Sequence, residues 1–397
     1  MSVEKLLIAN RGEIAIRIAR AANELDIATV AIHSEDDGSS LHTRATNESI
    51  ELNNRGVAAY LDIDAIVQAA TDTGTELLHP GYGFLSENAG LASACLKAGI
   101  NFIGPTSEQL AIFGNKAGAR ELAAELHVPL VPGTNNDTSL DQVLDFWDQH
   151  PEQGIIIKAV SGGGGRGMRI IESRDDIEKQ YERCRSEANM AFGDDAVYVE
   201  SLISSARHIE VQVIGDGTGN VVHLWERDCS AQRQNQKIIE IAPSPNLPAL
   251  TRDALLEASV RLAVARDYRG LGTFEFLVDA NNPAQYYFIE ANARLQVEHT
   301  VTEAITGLDL VALQLGVADG RSLSELGLDH PVPCQGFAVQ ARINMETPGK
   351  KGLFKPTGGT LTVFEPPSGP GIRTDSFQFI PEAGTMILDP RMGQFMQ

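Results

Sequence analysis

The chain of 397 residues is long enough for two or three domains, and its 43% apolar and 6% aromatic residues are typical of a globular α/β protein. The net charge of −21 argues against nucleic acid or an anionic membrane as a partner. A site for anionic ligands therefore has to be locally basic.

The N-terminal part alternates between strands and helices. Short apolar runs predict strands over residues 5–9, 29–33, 76–79 and 100–103, with helical periodicity between them. This alternation predicts a parallel sheet with helices on both faces. The turn after the first strand has a single glycine and lacks the glycine pattern of a dinucleotide-binding fingerprint.

Residues 79–88, which read His-Pro-Gly-Tyr-Gly-Phe-Leu-Ser-Glu-Asn, follow a predicted strand. Loops at this position bind ligands in many α/β proteins. A Pro/Gly turn in which Ser86 caps the next helix explains the segment equally well, so the sequence leaves both interpretations open.

A run of glycines, residues 162–165, lies between Lys158 and Arg166, after the apolar residues 154–157. Glycine N–H groups can close on an anion and two cations flank them, so the segment predicts a mobile clamp for the phosphates of a nucleoside triphosphate. It belongs to a small unit, residues 131–204, that we call the lid. A flexible turn is the alternative, and the pattern is not that of a P-loop.

Residues 273–278 and 285–290 predict the two strands of a hairpin. Its turn places Glu275 opposite Glu290, with Cβ atoms about 5 Å apart. Two carboxylates this close repel each other unless a cation lies between them, and such oxygen ligands suit Mg²⁺. Asn292 shares their face and adds a neutral oxygen. A solvated strand face that bears two acids is the alternative.

If the chain stays extended beyond this hairpin, Arg294, Gln296 and Glu298 point to the same side. Arg294 can hold a small oxyanion through two hydrogen bonds. Glu298, kept ionised beside an arginine, can act as a base. An ordinary buried ion pair is equally consistent with this spacing.

Prolines and glycines become frequent after residue 330, which predicts a small unit of short strands. The four cysteines are scattered without a Cys-x-x-Cys pair, so they predict neither a zinc site nor disulfides and favour a reducing cytoplasm. Neither a signal peptide nor a transmembrane run is expected.

Several long motifs together resemble one family. They occupy residues 8–15, 79–88, 162–168, 226–230, 288–299 and 341–344. In this order they resemble the biotin carboxylase component of biotin-dependent carboxylases, within the ATP-grasp superfamily, over essentially the whole chain. The resemblance implies an α/β fold with a Rossmann-like N-terminal domain (1–113), an ATP-grasp central domain (114–325) that carries the mobile lid, and an incomplete β-rich C-terminal domain (331–397).

The resemblance also implies a reaction. Bicarbonate attacks the γ-phosphate of ATP, which is held with Mg²⁺ or Mn²⁺, and gives carboxyphosphate and ADP. The carboxyl group then passes to a ring nitrogen of biotin on a biotin carboxyl carrier protein or domain. A carboxyltransferase is the expected next partner, and a homodimer is an open option because relatives are often dimers.

Roles follow residue by residue from the resemblance. The ATP-binding positions are Lys116, Lys158, Gly164, Gly165, Glu200, Leu202, His208, Gln232, Asn235, Glu275 and Glu290. The metal ligands are Glu275, Glu290 and Asn292, which agrees with the hairpin. The bicarbonate pocket is formed by Lys237, Arg294, Gln296, Val297 and Glu298. Glu298 is the base, Arg342 stabilises the biotin enolate, and Lys237 and Arg294 complete the catalytic set.

The sequence departs from the family pattern in places. Asn235 stands where many relatives have histidine and Ser201 replaces a frequent lysine, and both changes are expected to weaken nucleotide binding. Family members continue past the position of Gln397, so either a fragment of a longer polypeptide or a truncated gene is expected. No Ala-Met-Lys-Met biotinylation motif occurs, which places the carrier elsewhere.

Two alternatives to an active biotin carboxylase stay open at this stage. The shortened third domain is compatible with a non-catalytic nucleotide-binding fragment. Another ATP-grasp ligase, which joins a carboxylate to an amine, would share the lid and the metal acids but would not need residues 294–298. The final acceptor, an acyl-CoA, pyruvate or urea, is chosen by a carboxyltransferase outside this sequence.

Overall fold

A computed structural model describes residues 4–134, 137–150, 154–160, 167–344, 346–349, 354–356, 359–361, 363, 365–376 and 386–388. Its N-terminal sheet has five parallel strands, β1 (Lys5–Ile8), β2 (Ala28–Ser34), β3 (Glu48–Leu52), β4 (Leu77–His79) and β5 (Asn101–Phe102), in the order β3-β2-β1-β4-β5. The predicted parallel sheet is confirmed. Only β3 escaped prediction, because it is a mostly exposed edge strand without an apolar run.

Helices connect these strands. They are α1 (Gly12–Glu24), α2 (Val57–Tyr60), α3 (Ile63–Asp72), α4 (Ala89–Lys97) and α5 (Ser107–Phe113). Asn88, rather than Ser86, caps α4, since its side chain accepts a hydrogen bond from the Leu91 N–H. Asn88 thus has the capping role that the turn interpretation gave to Ser86.

The next helix, α6 (Lys116–Glu125), leads into the lid, which has a core of its own. The lid contains α7 (Leu140–Gln149), β6 (Ile155–Ala159), β7 (Met168–Ile171), α8 (Ile177–Phe192) and β8 (Val197–Ser201). Its antiparallel sheet has the order β7-β6-β8. Both helices pack on it through buried residues that include Val143, Trp147, Ile157, Ile177 and Tyr181.

Where the chain enters the lid, the backbone of Gly133 lies close to the backbone of β8. A Cβ atom there would lie 2.4 Å from the carbonyl oxygen of Val199, so no other residue fits without a shift of the backbone. Motion of the lid remains a prediction.

The central sheet is antiparallel, in the order β13-β12-β9-β10-β11-β14. Its strands are β9 (Ala206–Asp216), β10 (Val221–Arg233), β11 (Gln236–Ala242), β12 (Arg269–Asp279), β13 (Tyr286–Asn292) and β14 (Ala338–Ala341), and its helices are α9 (Ala249–Val264), α10 (His299–Thr306) and α11 (Leu310–Ala318). Within the described ranges β14 forms one edge of this sheet, and Phe337, just before the strand, and Val339 within it are 74% and 66% accessible.

Arg269 joins the central sheet to the N-terminal sheet. Its Nε donates to the Gly104 carbonyl at 2.9 Å, and its Nη2 donates to the Phe102 carbonyl at 2.8 Å. Because Arg269 starts β12, Phe102 ends β5 and Gly104 comes two residues later, these hydrogen bonds tie the two sheets together at this point.

Short strands follow in the C-terminal part, as predicted. β15 (Glu346–Pro348) pairs with β16 (Phe354–Pro356), and β17 (Gly359–Leu361) pairs with β18 (Met386–Leu388). Among the described helices none alone has the length and apolar composition to cross a membrane; α10 and α11 meet that test only together, as a pair bent by 95°.

Ile157→Ala tests whether the lid is an independent cooperative unit. The substitution empties a fully buried position of the lid core and should reduce the local unfolding free energy of the lid by about 2–5 kcal/mol. In native-state hydrogen exchange, the amides of β6 to β8 should exchange faster, while those of β9 and β12 stay unchanged.

Ile170→Ala is the matched control, because this isoleucine of β7 is 58% exposed, and it should change stability by no more than about 0.5 kcal/mol. Equal acceleration in both sheets after Ile157→Ala would contradict a separate lid core.

Candidate active site

Charged residues lie side by side across the central sheet. Glu290 on β13, Glu275 on β12, Glu210 on β9 and Arg227 on β10 are direct neighbours in the strand register. The predicted pairing of Glu275 with Glu290 is thus confirmed. Like charges directly opposite each other destabilise a sheet, so this row of three acids depends on nearby cations.

Lys237 of β11 is the cation at the centre. Its Nζ lies 2.5 Å from Glu210 Oε2, 2.9 Å from Glu275 Oε1 and 2.8 Å from Glu298 Oε1. Burial lowers the pKa of the Lys237 ammonium, but the three carboxylates outweigh burial and hold this pKa well above its ordinary value. The ammonium therefore stays charged and allows the surrounding acids to stay ionised together.

Glu298 is shared between Lys237 and Arg342. Arg342 Nη2 donates to Glu298 Oε2 at 2.9 Å, while Arg342 Nε donates to Glu240 Oε1 at 2.6 Å. Burial raises the pKa of the Glu298 carboxyl, yet the charge of Lys237, with help from Arg342, brings it below its ordinary value. Glu298 is thus an ionised, buried carboxylate that can accept a proton.

Arg294 is held from the loop before α4. Its Nε donates to Glu87 Oε2 at 2.8 Å and its Nη2 donates to Asn292 Oδ1 at 2.7 Å. Asn10 fixes this loop, since its Nδ2 donates to the carbonyls of Pro80 and Tyr82 at 2.7 and 2.8 Å. The structure thus favours the ligand-loop interpretation of residues 79–88, because the loop delivers Glu87 to the site.

Arg227 supports the row of acids from behind. It is fully buried, and its hydrogen bonds run to side chains on β9, β12, α10 and the turn before α10. The acceptors are Glu210, Gln212, Thr273, Gln296 and Thr302. The Arg227 guanidinium therefore fixes two groups of the site, the Glu210 carboxylate that binds Lys237 and the side-chain amide of Gln296. The Gln296 amide in turn donates to Glu275 at 3.1 Å.

The donor set at the rim of the site fits a hard divalent cation. Glu290 is one-third exposed and contacts Lys116 Nζ at 3.1 Å. It faces the buried Glu275, to which Asn292 donates at 2.8 Å. Carboxylate and amide oxygens are the ligands that Mg²⁺ and Mn²⁺ prefer beside substrate phosphates.

Deeper acid clusters are less suited to a metal. Donor atoms lie within 4.8 Å of one another in two groups, His208 with Glu210 and Glu275, and Glu210 with Cys229 and Glu298. The Lys237 ammonium already contacts three of these carboxylates, so the deeper position is neutralised by the protein itself.

Two family profiles cover most of the chain. "Biotin carboxylase, N-terminal domain" matches residues 2–110, and "Carbamoyl-phosphate synthase L chain, ATP binding domain" matches residues 115–326. The chain belongs to the biotin carboxylase family. The family match and the similar solved structure confirm the predicted fold, a parallel-sheet N-terminal domain followed by an ATP-grasp domain.

Among curated relatives, the pyruvate carboxylases of Aspergillus terreus and Bacillus subtilis are each 48% identical over 381 residues. The match covers 94% of this chain but 32% and 33% of those proteins, so the chain spans about one third of their length.

Solved biotin carboxylases are similar over nearly the whole chain. The Campylobacter jejuni enzyme, solved as a β-γ-ATP complex, is 39% identical with a TM-score of 0.89, covering 98% of this chain and 86% of that one. The biotin carboxylase domain dimer of Hydrogenobacter thermophilus 2-oxoglutarate carboxylase, solved with MgADP, ADP and bicarbonate, is 38% identical with a TM-score of 0.88, covering 98% and 87%.

Half of the predicted site residues of this biotin carboxylase chain fall in one connected hydrogen-bond network. Its members are His208, Gln232, Lys237, Glu275, Asn292, Arg294, Gln296, Glu298 and Arg342. Lys116 and Glu290 form a pair at the rim. Val297 lies in the turn between Gln296 and Glu298, and Asn235 lies in the turn between β10 and β11.

A second group of predicted residues lies in the lid. Lys158 Nζ contacts Glu200 Oε2 at 2.5 Å, and Arg120 contacts the other oxygen of Glu200 at 2.6 Å. The Leu202 N–H donates to the Gly154 carbonyl at 3.1 Å. The predicted phosphate glycines, Gly164 and Gly165, lie outside the described residues.

The condition that the chain stays extended after Asn292 is not met. β13 ends at Asn292, and the chain turns so that α10 can begin at His299. The turn closes through the Gln296 carbonyl, which lies 2.8 Å from His299 Nδ1. Gln296 and Glu298 still reach the site, because the turn folds them back over β12 rather than because they continue a strand.

Sequence reasoning missed Glu87, Glu210, Arg227 and Glu240. Glu87 and Glu240 find their partners, Arg294 and Arg342, on distant elements, which a single sequence does not show, whereas Glu210 and Arg227 pair across the neighbouring strands β9 and β10. One signal was available for Glu210, which lies between Ile209 and Val211 in an apolar strand, since a charge at such a position requires a partner.

Lys237→Met should show how much the site depends on its central cation. Removal of one partner of a buried ion pair costs about 3–5 kcal/mol of folding free energy. In Lys237→Met the loss should be at least this large, because three buried carboxylates lose their shared cation. Without the ammonium their pKa values rise, so the loss of stability should shrink as the pH falls from about 8 to about 5.5. Urea unfolding at both pH values measures this.

The control is Lys116→Met. Lys116 pairs with the partly exposed Glu290, so its loss should cost less than about 1 kcal/mol. Similar losses for the two variants would show that Lys237 is not the central support.

Proposed function

We propose that this chain catalyses the ATP- and bicarbonate-dependent carboxylation of biotin, the first half-reaction of a biotin-dependent carboxylase. One observation carries the proposal. The Lys237 ammonium lies within 3 Å of both Glu275, an acid of the metal row, and Glu298, whose second oxygen is bound by Arg342. The groups needed for phosphate activation, proton removal and biotin binding therefore share one hydrogen-bond network.

The nucleotide lies between the lid and the hairpin in this proposal. Lys116 and Lys158 are the cations that approach its phosphates, and Lys158 would exchange its contact with Glu200 for a phosphate oxygen. Glu275, Glu290 and Asn292 would hold Mg²⁺ or Mn²⁺, which supplies positive charge to the γ-phosphate when bound. His208 and Gln232 support this face, because His208 Nε2 lies 2.6 Å from Glu275 Oε2 and Gln232 contacts its other ring nitrogen.

Bicarbonate would lie between Arg294, Lys237 and Glu298. Arg294 and Lys237 bind its oxygens, and Glu298 takes the proton from its hydroxyl group, so that an oxygen can attack the γ-phosphate and form carboxyphosphate with release of ADP. The contacts made by Gln296 and Arg227 fix these groups before substrate arrives, which lowers the reorganisation that the reaction requires.

Biotin would enter on the side of Arg342. The guanidinium stabilises the negative charge on the ureido oxygen of the biotin enolate, which forms when the ring N–H gives its proton to a phosphate oxygen of carboxyphosphate. The ring nitrogen then bonds to the carboxyl carbon, the C–O bond to phosphate breaks, and inorganic phosphate leaves. The proposed partners are a biotin carboxyl carrier and a carboxyltransferase, in line with the pyruvate carboxylases that this chain matches over one third of their length. A homodimer is also proposed, as the Hydrogenobacter thermophilus domain is described as a dimer.

Glu298→Gln is the direct test of the base. Purified protein should form ADP only with MgATP, bicarbonate and biotin together, and loss of the base should lower this rate by about 10²–10⁴-fold. ATP binding should persist, measured as the rise in melting temperature with MgATP. Glu257→Gln, at an exposed position of α9, should keep the full rate. A rate of ADP formation that is the same with and without bicarbonate and biotin would refute the proposed function.

Glu290→Gln tests the metal row. Loss of one carboxylate ligand should raise the Mg²⁺ concentration needed for half-maximal rate at least about tenfold. The maximal rate at saturating Mg²⁺ should recover in part, because Glu275 and Asn292 remain. A Mg²⁺ titration of ADP formation measures this, with the exposed lid acid replaced in Glu172→Gln as the control. An unchanged Mg²⁺ requirement would exclude Glu290 as a ligand.

A further inference from the structure

Phe84 lies in the loop before α4, in a backbone conformation that a bulky side chain rarely adopts. Its φ angle is +45°, in the left-handed region, where the Cβ atom crowds the following carbonyl oxygen. The Ser86 N–H donates to the Gly83 carbonyl at 3.0 Å, which closes a turn with Phe84 at its second position. Turns with a positive φ at this position usually have glycine, asparagine or aspartate there. The loop therefore stores backbone strain at Phe84.

The ring of Phe84 provides the contact that opposes this strain. It stacks on Tyr60, the last residue of α2, with ring centroids 5.0 Å apart and an angle of 24° between the planes. Tyr60 is buried, and its hydroxyl donates to Asp37 Oδ2 at 2.9 Å. Arg11 in turn donates to both oxygens of Asp37, at 2.5 and 3.0 Å. Phe84 is thus held against a fixed part of the N-terminal domain.

A second turn links the strained residue to the site. The Asn88 N–H donates to the Leu85 carbonyl at 3.0 Å, so the two turns overlap and Glu87 lies in the second one. Glu87 Oε2 accepts from Arg294 Nε at 2.8 Å, and its Oε1 accepts from the Ala293 N–H at 3.1 Å. A change of φ at the strained residue would therefore move the carboxylate that orients the arginine.

We propose that Phe84 is a positioning residue for bicarbonate. Its stack on Tyr60 keeps the loop in the strained form, and this form aims Glu87 at Arg294. Without the ring, a residue that has a Cβ atom relaxes to negative φ, so that Glu87 withdraws and the guanidinium loses its orientation. This inference rests on the proposed function, in which Arg294 binds bicarbonate.

The decisive variants are Phe84→Ala and Phe84→Gly. Both lose the ring, but only alanine has a Cβ atom, which disfavours positive φ by a factor of about 5–30. In bicarbonate- and biotin-dependent ADP formation, the KM for bicarbonate should therefore be about 5–30-fold higher in Phe84→Ala than in Phe84→Gly. The kcat and the KM for ATP should agree within about twofold, since a loss of bicarbonate binding alone raises only its own KM. Phe84→Tyr, which keeps the stack, should retain the wild-type KM for bicarbonate.

Asp26→Ala and Asp26→Gly form the matched control. Asp26 follows α1, is exposed and has a φ of +58°, so the same Cβ penalty applies outside the loop. The KM for bicarbonate should be equal in this pair. Equal KM values in the Phe84 pair, or a KM for ATP that rises by the same factor as that for bicarbonate, would overturn the proposal.

Hydrogen exchange separates this inference from the proposed function. The amides of Ser86 and Asn88 close the two turns, so without substrates they should exchange about 5–30-fold faster in Phe84→Ala than in Phe84→Gly. If wild type forms no bicarbonate-dependent ADP, the proposed function fails and this inference falls with it. If ADP forms but these amides exchange at equal rates in the two variants, the inference alone is rejected.

Discussion

The whole site depends on one ammonium group among three buried carboxylates. Strand pairing places Glu290, Glu275 and Glu210 next to one another, an arrangement that a sheet alone would not tolerate. Lys237 reaches from β11 across β10 to bind two of them and Glu298. A lysine suits this position, because its three N–H donors rotate and can serve three acceptors that come from different elements.

Arg227 complements Lys237 as the second buried cation of the site. Lys237 meets only acids, whereas the rigid guanidinium of Arg227 meets one of the same acids, Glu210, together with the amides and hydroxyls that stand behind the row. The division follows from geometry, since a planar fork with five fixed donors is best satisfied by five acceptors that do not move. The acids are therefore held by one cation and oriented by another.

The sequence was most informative where one local rule decided the structure. The hairpin register followed from the period-two alternation of its strands and from its turn, so Glu275 and Glu290 could be paired without any knowledge of the fold. The turn after Asn292 could not be foreseen, because it depends on where α10 docks. Glu87, Glu240 and Arg227 depend on contacts between residues far apart in the chain, and a single sequence does not reveal such contacts.

The edge of the central sheet has a consequence for how copies of this protein meet one another in solution. Among the described residues β14 is paired on one side only, so its backbone N–H and C=O groups beside the exposed Phe337 and Val339 form a surface on which a second strand can align. What keeps such copies apart is the charge of −21, which makes every approach repulsive at long range. Added salt shortens the reach of that repulsion to about 3 Å at molar concentrations and leaves the apolar attraction in place. Ionic strength therefore sets how strongly copies repel one another at this edge, with dilute buffers preserving the repulsion and concentrated ones screening it.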